Sequence, residues 1–148
     1  MLNPVNTLRK TMQYWHASFV ANNIGTGLLV IGAPNVGKTE LCDYLIKYLD
    51  FYLVADDLVR VAQINDIYQG ILCNEQYFGV MHHEKKGFIQ VEKALDQAVI
   101  SHVVYLYCQE KDPKYINKAQ TLALPLIEMD VFNKAWHECA KQLQNKLG

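Results

Sequence analysis

The sequence predicts an α/β fold in which a mixed sheet is flanked by helices. Apolar, strand-like runs alternate with amphipathic helical segments along the chain, which is typical of this class. Between residues 28 and 55 the order is strand, glycine-rich loop, helix and strand, a unit that places an anion at a helix N-terminus. A length of 148 residues suits one domain with a buried core, so we expect residues 1–148 to form a single domain.

The first predicted elements are a β-hairpin and the helix that follows the glycine loop. Apolar runs at 15–23 and 28–32 flank a glycine-containing turn, which predicts a hairpin. Segment 38–49 carries leucines and isoleucine at helical spacing, so a helix is expected to begin inside the loop. The run 51–55 predicts a strand, and 59–64 predicts another strand after a bend.

The second half of the chain is less periodic. Residues 73–96 mix charges, histidines and glycines, and the first half of that segment is predicted to be a surface loop. The run 98–108 is rich in Val, Ile and Tyr and predicts one strand. Further on, the patterns predict a short helix at 112–124, a strand at 124–130 and a closing helix at 131–147.

Composition excludes several classes of function. The formal net charge is −1, whereas a dedicated nucleic-acid binder is usually basic. No apolar run reaches the length that a membrane span requires, and the N-terminus lacks the apolar core of a signal peptide. The cysteines stand too far apart for a zinc site, so we expect reduced, mostly buried thiols in a cytoplasmic protein. They are Cys42, Cys73, Cys108 and Cys139.

The strongest motif is the segment GAPNVGKT at 32–39, which fits the pattern G-x-x-x-x-G-K-[ST] of a phosphate-binding P-loop. Glycines let the backbone bend so that successive N–H groups face an anion. Lys38 is expected to contact the β- and γ-phosphates, and the Thr39 hydroxyl can ligate Mg²⁺. Glu40 either complements the helix dipole or assists the metal, and the sequence leaves both open. The expected phosphate-binding residues are Gly32, Ala33, Pro34, Asn35, Val36, Gly37, Lys38 and Thr39.

Two adjacent acids, Asp56 and Asp57, follow the apolar run Leu53-Val54-Ala55. A strand next to a P-loop brings its carboxyl end beside the phosphates, where an acid commonly orients Mg²⁺. One carboxylate would serve the metal, and the other would accept a proton from an incoming hydroxyl. The alternative is a turn in which one aspartate caps backbone N–H groups.

Taken together, these motifs resemble a known family. WHASFV at 15–20, then GTGLLVIGAPNVGKTELCDYLIKYLDFYLVADDLV at 25–59, is similar to the catalytic domain of HPr kinase/phosphorylase, the bacterial enzyme that acts on the phosphocarrier protein HPr. The shared features are His16, Gly25, Gly27, the loop at 32–40 and Ala55-Asp56-Asp57. LPLIEMD at 124–130 also resembles the short members, which lack the family's usual N-terminal domain.

The resemblance implies a P-loop kinase-like fold, as in HPr kinase and PEP carboxykinase, and transfer of the ATP γ-phosphoryl group to a serine of HPr or an HPr-like protein. By the same resemblance Lys38 and the loop hold the phosphates, while Thr39, Glu40 and Asp56 serve Mg²⁺. Asp56 is preferred as the base, with Asp57 beside it. His16 would lie near the transferred phosphate. The family assembles as hexamers, so a homo-oligomer is expected, without nucleic acid or membrane.

One segment departs from the family pattern. Where the family has a glycine-rich loop with an arginine, this chain has HHEKKGFIQV at 82–91. Lys85 or Lys86 would have to replace the arginine, and a lysine lacks the bidentate fork of a guanidinium. The departure weakens the case for the reverse phosphorolysis activity. His82 and His83 are expected to be exposed to solvent rather than to bind metal.

Two other functions remain open from the residues. One is a different small P-loop enzyme, either a small-molecule kinase or an NTPase. Only Arg9 and Arg60 are present, which excludes an arginine-rich lid and argues against a nucleoside-kinase-like enzyme. The other is a regulatory module that binds ATP without turnover.

Overall fold

The computed structural model describes residues 10–148, so Arg9 lies outside the described residues. Eleven strands and three α-helices follow one another in this part of the chain, with a 3₁₀ turn at Glu75–Tyr77. The strands are β1 Lys10–Trp15, β2 Ser18–Ala21, β3 Gly27–Gly32, β4 Tyr52–Ala55, β5 Val59–Ile64, β6 Ile67–Leu72, β7 Val80–His83, β8 Gly87–Gln90, β9 Gln97–Val99, β10 His102–Tyr107 and β11 Leu126–Asp130. The helices are α1 Lys38–Tyr48, α2 Pro113–Gln120 and α3 Trp136–Leu147.

A five-stranded mixed sheet in the order β11-β10-β3-β2-β4 forms the centre of the molecule. Strand β3 is parallel to β10, and β10 is parallel to β11. Strand β2 is antiparallel to both β3 and β4, so β3 and β4 run in the same direction. Their carboxyl ends therefore meet at one edge, which is where open α/β sheets bind ligands.

Both faces of the central sheet are covered, which explains why its strands are continuously apolar. Leu28 and Val30 of β3 pack on one face with α1 and α3. Leu29 and Ile31 pack on the other face with Trp15 and residues of α2. Successive residues of a strand point to opposite faces, so each layer takes alternate side chains.

A second, antiparallel sheet in the order β1-β5-β6-β9 covers the Trp15 side of the core. Strands β7 and β8 form a separate two-stranded hairpin, which contacts α1 through the buried Met81. None of the helices in residues 10–148 has both the length and the apolarity needed to cross a bilayer.

The hairpin β2–β3, helix α1 and strands β4 and β5 confirm the predictions for 18–64, but two predicted strands are divided. Trp15 ends β1 of the second sheet, and the chain crosses to the central sheet at 16–17. The predicted strand 98–108 likewise becomes β9 in one sheet and β10 in the other. Ser101 stabilises this corner, because its hydroxyl contacts the backbone N–H and C=O of Gly27 at 2.9 and 3.1 Å.

The later helices are shorter than predicted. Helix α2 ends at Gln120, and Ala123 beyond it has a left-handed φ of 53°. Helix α3 begins at Trp136 because 131–135 forms a turn, in which the Asp130 carboxylate accepts the Phe132 N–H at 3.0 Å.

The four cysteines are free. Cys42 and Cys139 are buried as expected, whereas Cys73 is half-buried and Cys108 is exposed.

Candidate functional site

The glycine loop joins β3 to α1, and two of its glycines are required by close contacts. Gly32 has φ +152°, and a Cβ there would lie 2.5 Å from the Leu106 carbonyl oxygen. Gly37 has φ +114° and is the N-cap residue of α1. A Cβ on Gly37 would lie 2.2 Å from Cη2 of Trp136. The loop therefore fits between β10 and α3 only with glycine at both positions.

Lys38 is folded over its own loop. Its ammonium group donates to the carbonyl oxygens of Gly32 at 2.8 Å and Ala33 at 2.9 Å. Burial lowers the pKa of Lys38, and the negative charges of Asp57 and Asp56 oppose that shift. The lysine thus lies above the loop as a partly desolvated cation, the position a phosphate-binding lysine requires.

Asp56 is the centre of the hydrogen-bond network beside the loop. One carboxylate oxygen, Oδ1, accepts the hydroxyl of Ser18 at 2.6 Å and that of Thr39 at 2.9 Å. The other oxygen, Oδ2, accepts the backbone N–H of His82 at 2.9 Å. Three elements, β2, α1 and β7, therefore meet at this carboxylate, and its orientation is fixed by all of them.

Asp57, the next residue, differs from Asp56 in conformation and exposure. It has a left-handed φ of 71°, which for a non-glycine residue indicates a functional or strained position. Its side chain is exposed and lines the cleft beside the loop. The two adjacent acids therefore have different environments, one held by three donors and one open to an incoming group.

Glu40 connects α1 to the β7–β8 hairpin. Its carboxylate accepts the backbone N–H of Glu84 at 3.2 Å and lies 3.9 Å from the His83 ring. The other ring nitrogen of His83 lies 3.9 Å from Asp43. This arrangement places Glu40 at the rim of the cleft and in contact with the hairpin.

The expectation of a surface loop with exposed histidines is wrong for part of this segment. His82 is exposed, but His83 is 8% exposed and Met81 is fully buried. The physical reason is the alternation of side chains along β7, which turns Met81 and His83 toward α1 and His82 toward solvent. Contact with the acids of α1 supplies polar partners for a histidine that the sequence does not distinguish from a surface residue.

A cleft of about 280 Å³ between the loop, the two acids and the hairpin collects most of the predicted site residues. We call it the loop cleft. Predicted residues that line it are Pro34, Asn35, Gly37, Lys38, Thr39, Glu40, Asp56 and Asp57. Sequence reasoning missed three further lining residues, Ser18, His82 and Glu84. Only Ser18 gave a signal, because it lies two residues after His16 in the predicted hairpin.

His16 does not line the loop cleft. It lies in the β1–β2 connection and lines an adjoining cleft of about 500 Å³ that it shares with Lys38, Asp57 and Lys118. Lys85 and Lys86 do not line the loop cleft either. The pKa of Lys86 is lowered by the neighbouring Lys47 of α1, which places Lys86 near α1. The hairpin therefore contributes His82 and Glu84 to the cleft instead of a cation.

The residues around Asp56 fit a hydrated Mg²⁺ ion bound together with phosphates. Thr39, Glu40 and Asp56 offer hydroxyl and carboxylate oxygens, the ligands that Mg²⁺ prefers. Within residues 10–148 no three His, Cys, Asp or Glu side chains form a metal cage of their own. Mg²⁺ commonly binds through one or two carboxylates plus substrate phosphates, so such a cage is not needed.

The central sheet, the loop and the flanking helices define a P-loop kinase-like α/β fold. Among solved structures the chain is similar to the HPr(Ser) kinase/phosphatase from Coxiella burnetii, with a TM-score of 0.71, 23% sequence identity and 90% of each chain covered. No family model and no curated protein matches the sequence. The resemblance seen in the sequence is thus confirmed for the fold, a mixed sheet with flanking helices of the HPr kinase type.

Proposed function

We propose that this protein is an ATP-dependent kinase that transfers the γ-phosphoryl group to a serine of HPr or an HPr-like carrier protein. One observation carries the proposal: the hydroxyl of the loop residue Thr39 lies 2.9 Å from the strand-end carboxylate of Asp56. In P-loop enzymes a hydroxyl and an acid in these two positions hold the magnesium ion of the nucleotide. Bound there, Mg²⁺ would neutralise charge on the β- and γ-phosphates.

The hydrogen bonds favour a division of labour between the two acids. Asp56 already accepts two hydroxyls and one amide, so we assign it to orienting Thr39 and the metal. Asp57 is exposed and has no such donors within the described residues. We assign it the proton of the serine hydroxyl, which it accepts as the serine oxygen bonds to the γ-phosphorus and ADP leaves. The sequence resemblance prefers Asp56 as the base, and the two assignments give different results below.

A protein acceptor is supported by a groove next to the loop cleft. The groove, which we call the acceptor groove, measures about 430 Å³ and shares Asp56, Asp57 and His82 with the loop cleft. Leu58, Tyr77 and Phe88 line it, and Phe88 is 73% exposed. Exposed apolar side chains next to a site typically mark a protein interface. A serine with apolar neighbours would fit this groove while its hydroxyl reaches Asp57.

The test is incubation of the protein with Mg-ATP and HPr, followed by intact-mass measurement of HPr. With the wild-type protein, we expect the mass of HPr to rise by that of one phosphate group. Asp57→Asn should abolish transfer while ATP and Mg²⁺ still bind, whereas Asp56→Asn should weaken the Mg²⁺ dependence of ATP binding as well. Asp66→Asn, an exposed aspartate in the β5–β6 turn, is the matched control and should react like wild type.

If Asp57→Asn transfers phosphate normally and Asp56→Asn binds Mg-ATP normally without transfer, the assignment of the base reverts to Asp56. HPr that stays unmodified while ADP accumulates at the same rate without it contradicts the kinase and indicates an NTPase. The homo-oligomer, the cytoplasmic location and the loss of phosphorolysis stay predictions.

A nucleotide-binding module without turnover is the second candidate, and the set of residues that lines the loop cleft favours it. Within residues 10–148 no arginine lines the loop cleft, and Arg60 lies on β5. Arginine is a common clamp for a transferring phosphoryl group. ATP that binds with neither HPr modification nor hydrolysis would select this second function.

A further inference from the structure

We propose that a cleft on the β10 side of the glycine loop is the nucleoside site of this protein. The cleft measures about 380 Å³ and is lined on one wall by the outer side of the loop and on the other by the end of β10 and the start of α2. The side chains that matter for the argument are Tyr107, Cys108, Glu110, Lys114 and Tyr115. We call it the tyrosine cleft. The inference rests on the proposed nucleotide binding.

The tyrosine cleft is continuous with the loop cleft. Pro34 and Asn35, at the crest of the loop, line both cavities. A triphosphate held by the loop amides and Lys38 has its γ end beside Asp57, which lines the loop cleft but not the tyrosine cleft. The α-phosphate end of this triphosphate, which carries the nucleoside, must extend across the crest of the loop. That path leads directly into the tyrosine cleft.

The walls of the tyrosine cleft are aromatic. Tyr105, Tyr107 and Tyr115 form a cluster, with ring centroids 5.5 Å apart for Tyr105–Tyr107 and 5.3 Å for the stacked pair Tyr105–Tyr115. Tyr105 is buried, whereas Tyr107 and Tyr115 are half-buried. The side chains of Lys111 and Lys114 lie over these two rings, 5.5 and 5.1 Å from their centroids, and a nucleobase that displaces them can stack on the tyrosines. A volume of this size lies within the range of small-molecule sites. An inorganic phosphate would gain nothing from these aromatic walls.

The rim of the tyrosine cleft is polar. Glu110 is an exposed carboxylate at the entrance, suited to accept hydrogen bonds from ribose hydroxyls or an exocyclic amino group. Asp112 caps α2 by accepting the Lys114 N–H at 3.1 Å, and its other oxygen lies 3.7 Å from the Lys114 ammonium group. Lys114 is exposed and lines both the tyrosine cleft and the His16 cleft, close to the loop where the α-phosphate would lie. The rim therefore offers acceptors to the sugar and base and a cation to the phosphate end.

The cleft is also held in shape before any ligand binds. The Gln109 N–H donates to Asp130 at 3.0 Å, and the Asp112 N–H donates to the Tyr105 hydroxyl at 2.8 Å. The amides of Gln109 and Phe132 lower the pKa of Asp130, so this carboxylate stays ionised and keeps the β10–α2 connection fixed to β11. A preformed cleft loses little conformational entropy on binding.

Cys108 provides a direct test, because it is exposed and lines the tyrosine cleft. Cys73 lines the acceptor groove on the other side of the loop cleft and serves as an internal control, although burial raises the pKa of its thiol. The wild-type protein is treated with N-ethylmaleimide in Mg-ATP or in Mg-tripolyphosphate, and each cysteine is followed by peptide mass mapping. Binding of both ligands is measured in parallel by equilibrium dialysis.

At about ten times the dissociation constant, Mg-ATP should slow modification of Cys108 about tenfold by mass action. Tripolyphosphate, which has no nucleoside, should leave the rate of Cys108 within about twofold, and Cys73 should be unaffected by both. ATP that binds without protecting Cys108 overturns the nucleoside site alone and points to the His16 cleft. If dialysis detects no ATP binding, both the nucleoside site and the proposed kinase function are contradicted.

A variant gives an independent measurement. Cys108→Trp should fill the cleft and lower ATP affinity about tenfold or more, while tripolyphosphate affinity stays within about twofold, because only the nucleoside contacts are lost. Gln142→Trp, which places the same ring at an exposed position of α3, is the matched control and should bind both ligands like wild type. Equal losses of ATP and tripolyphosphate affinity in Cys108→Trp would contradict the assignment, as would no loss of either.

Discussion

Replacement of Gly37 with alanine should destabilise the protein through its contact with Trp136, and not only through its backbone conformation. Gly37 has φ +114°, and an added Cβ would lie 2.2 Å from Cη2 and 2.5 Å from Cζ2 of the indole ring. Neither atom can remain in place, so the ring must leave its position at the start of α3. Loop and C-terminal helix would both be disturbed.

The magnitude follows from two separable costs. A left-handed conformation costs a non-glycine residue about 1–2 kcal/mol. Loss of a fully buried tryptophan costs about 3–5 kcal/mol, and Trp136 is only half-buried, so displacement of its ring should cost about 2 kcal/mol. Gly37→Ala should therefore lower the free energy of unfolding by about 3–4 kcal/mol, the sum of these two costs.

The two costs are separated by a double-mutant cycle and a matched glycine. Trp136→Ala alone should lower the free energy of unfolding by about 2 kcal/mol. The double variant Gly37→Ala/Trp136→Ala should be no less stable than Gly37→Ala, because the ring that clashes is already gone. The coupling energy between the two substitutions is then about 2 kcal/mol. Gly25 has φ +94° and nothing within 4 Å of its would-be Cβ. Gly25→Ala should therefore cost about 1–2 kcal/mol from backbone strain alone and be additive with Trp136→Ala.

The assay is urea unfolding of six proteins, namely the wild type, the three single variants and the two double variants, followed by far-UV circular dichroism because Trp136 is itself mutated. The expected clash with the indole ring is refuted if Gly37→Ala is no less stable than Gly25→Ala, or if the effects of Gly37→Ala and Trp136→Ala simply add. Either result would mean that the indole ring does not limit the space above Gly37.

Three further outcomes are expected. Thr39→Val should abolish most of the Mg²⁺ enhancement of ATP binding measured by calorimetry. Thr39→Ser keeps the hydroxyl and should keep the enhancement. Equal Mg²⁺ dependence in the two variants would contradict the assignment of Thr39 to the metal. Burial lowers the pKa of Lys38 in the folded protein from its ordinary value of 10.5. Between the folded and unfolded pKa values the unfolded chain therefore binds more protons than the folded chain. The contribution of Lys38 to the free energy of unfolding rises with pH in that window. Lys38→Met should lose that rise relative to wild type in urea unfolding from neutral to alkaline pH, and parallel curves would refute it. Gly70→Ala places a Cβ 2.3 Å from the fully buried Phe19 ring and should lower the unfolding free energy by about 1–3 kcal/mol; an unchanged urea midpoint would mean that the two sheets can separate freely.

Much of the fold around the loop could be predicted because its signals are local. Gly32, Gly37, Lys38 and Thr39 lie within eight consecutive residues, and the spacing of apolar residues before and after them specifies a strand and a helix. Such patterns depend on backbone geometry and on one buried face. The structure confirms them from β2 to β5.

The division of the chain between two sheets could not be predicted in the same way. Residues 97–107 are mostly apolar, yet β9 pairs with β6 and β10 pairs with β3. Both partners bury apolar side chains, so periodicity does not distinguish them. The corner depends on Ser101 meeting Gly27, a contact between residues far apart in the chain.

The sequence by itself determined that this protein has a glycine loop of the pattern G-x-x-x-x-G-K-[ST] followed by a strand that ends in two acids, since each feature is a short run of neighbouring residues. Only the tertiary structure decided that Asp56 is held by Ser18, Thr39 and the His82 amide, while Asp57 is left open. These donors come from three separate elements, and they meet because both faces of the central sheet must be covered. Long-range packing, which no local spacing encodes, therefore distinguishes two acids that the sequence presents as a pair.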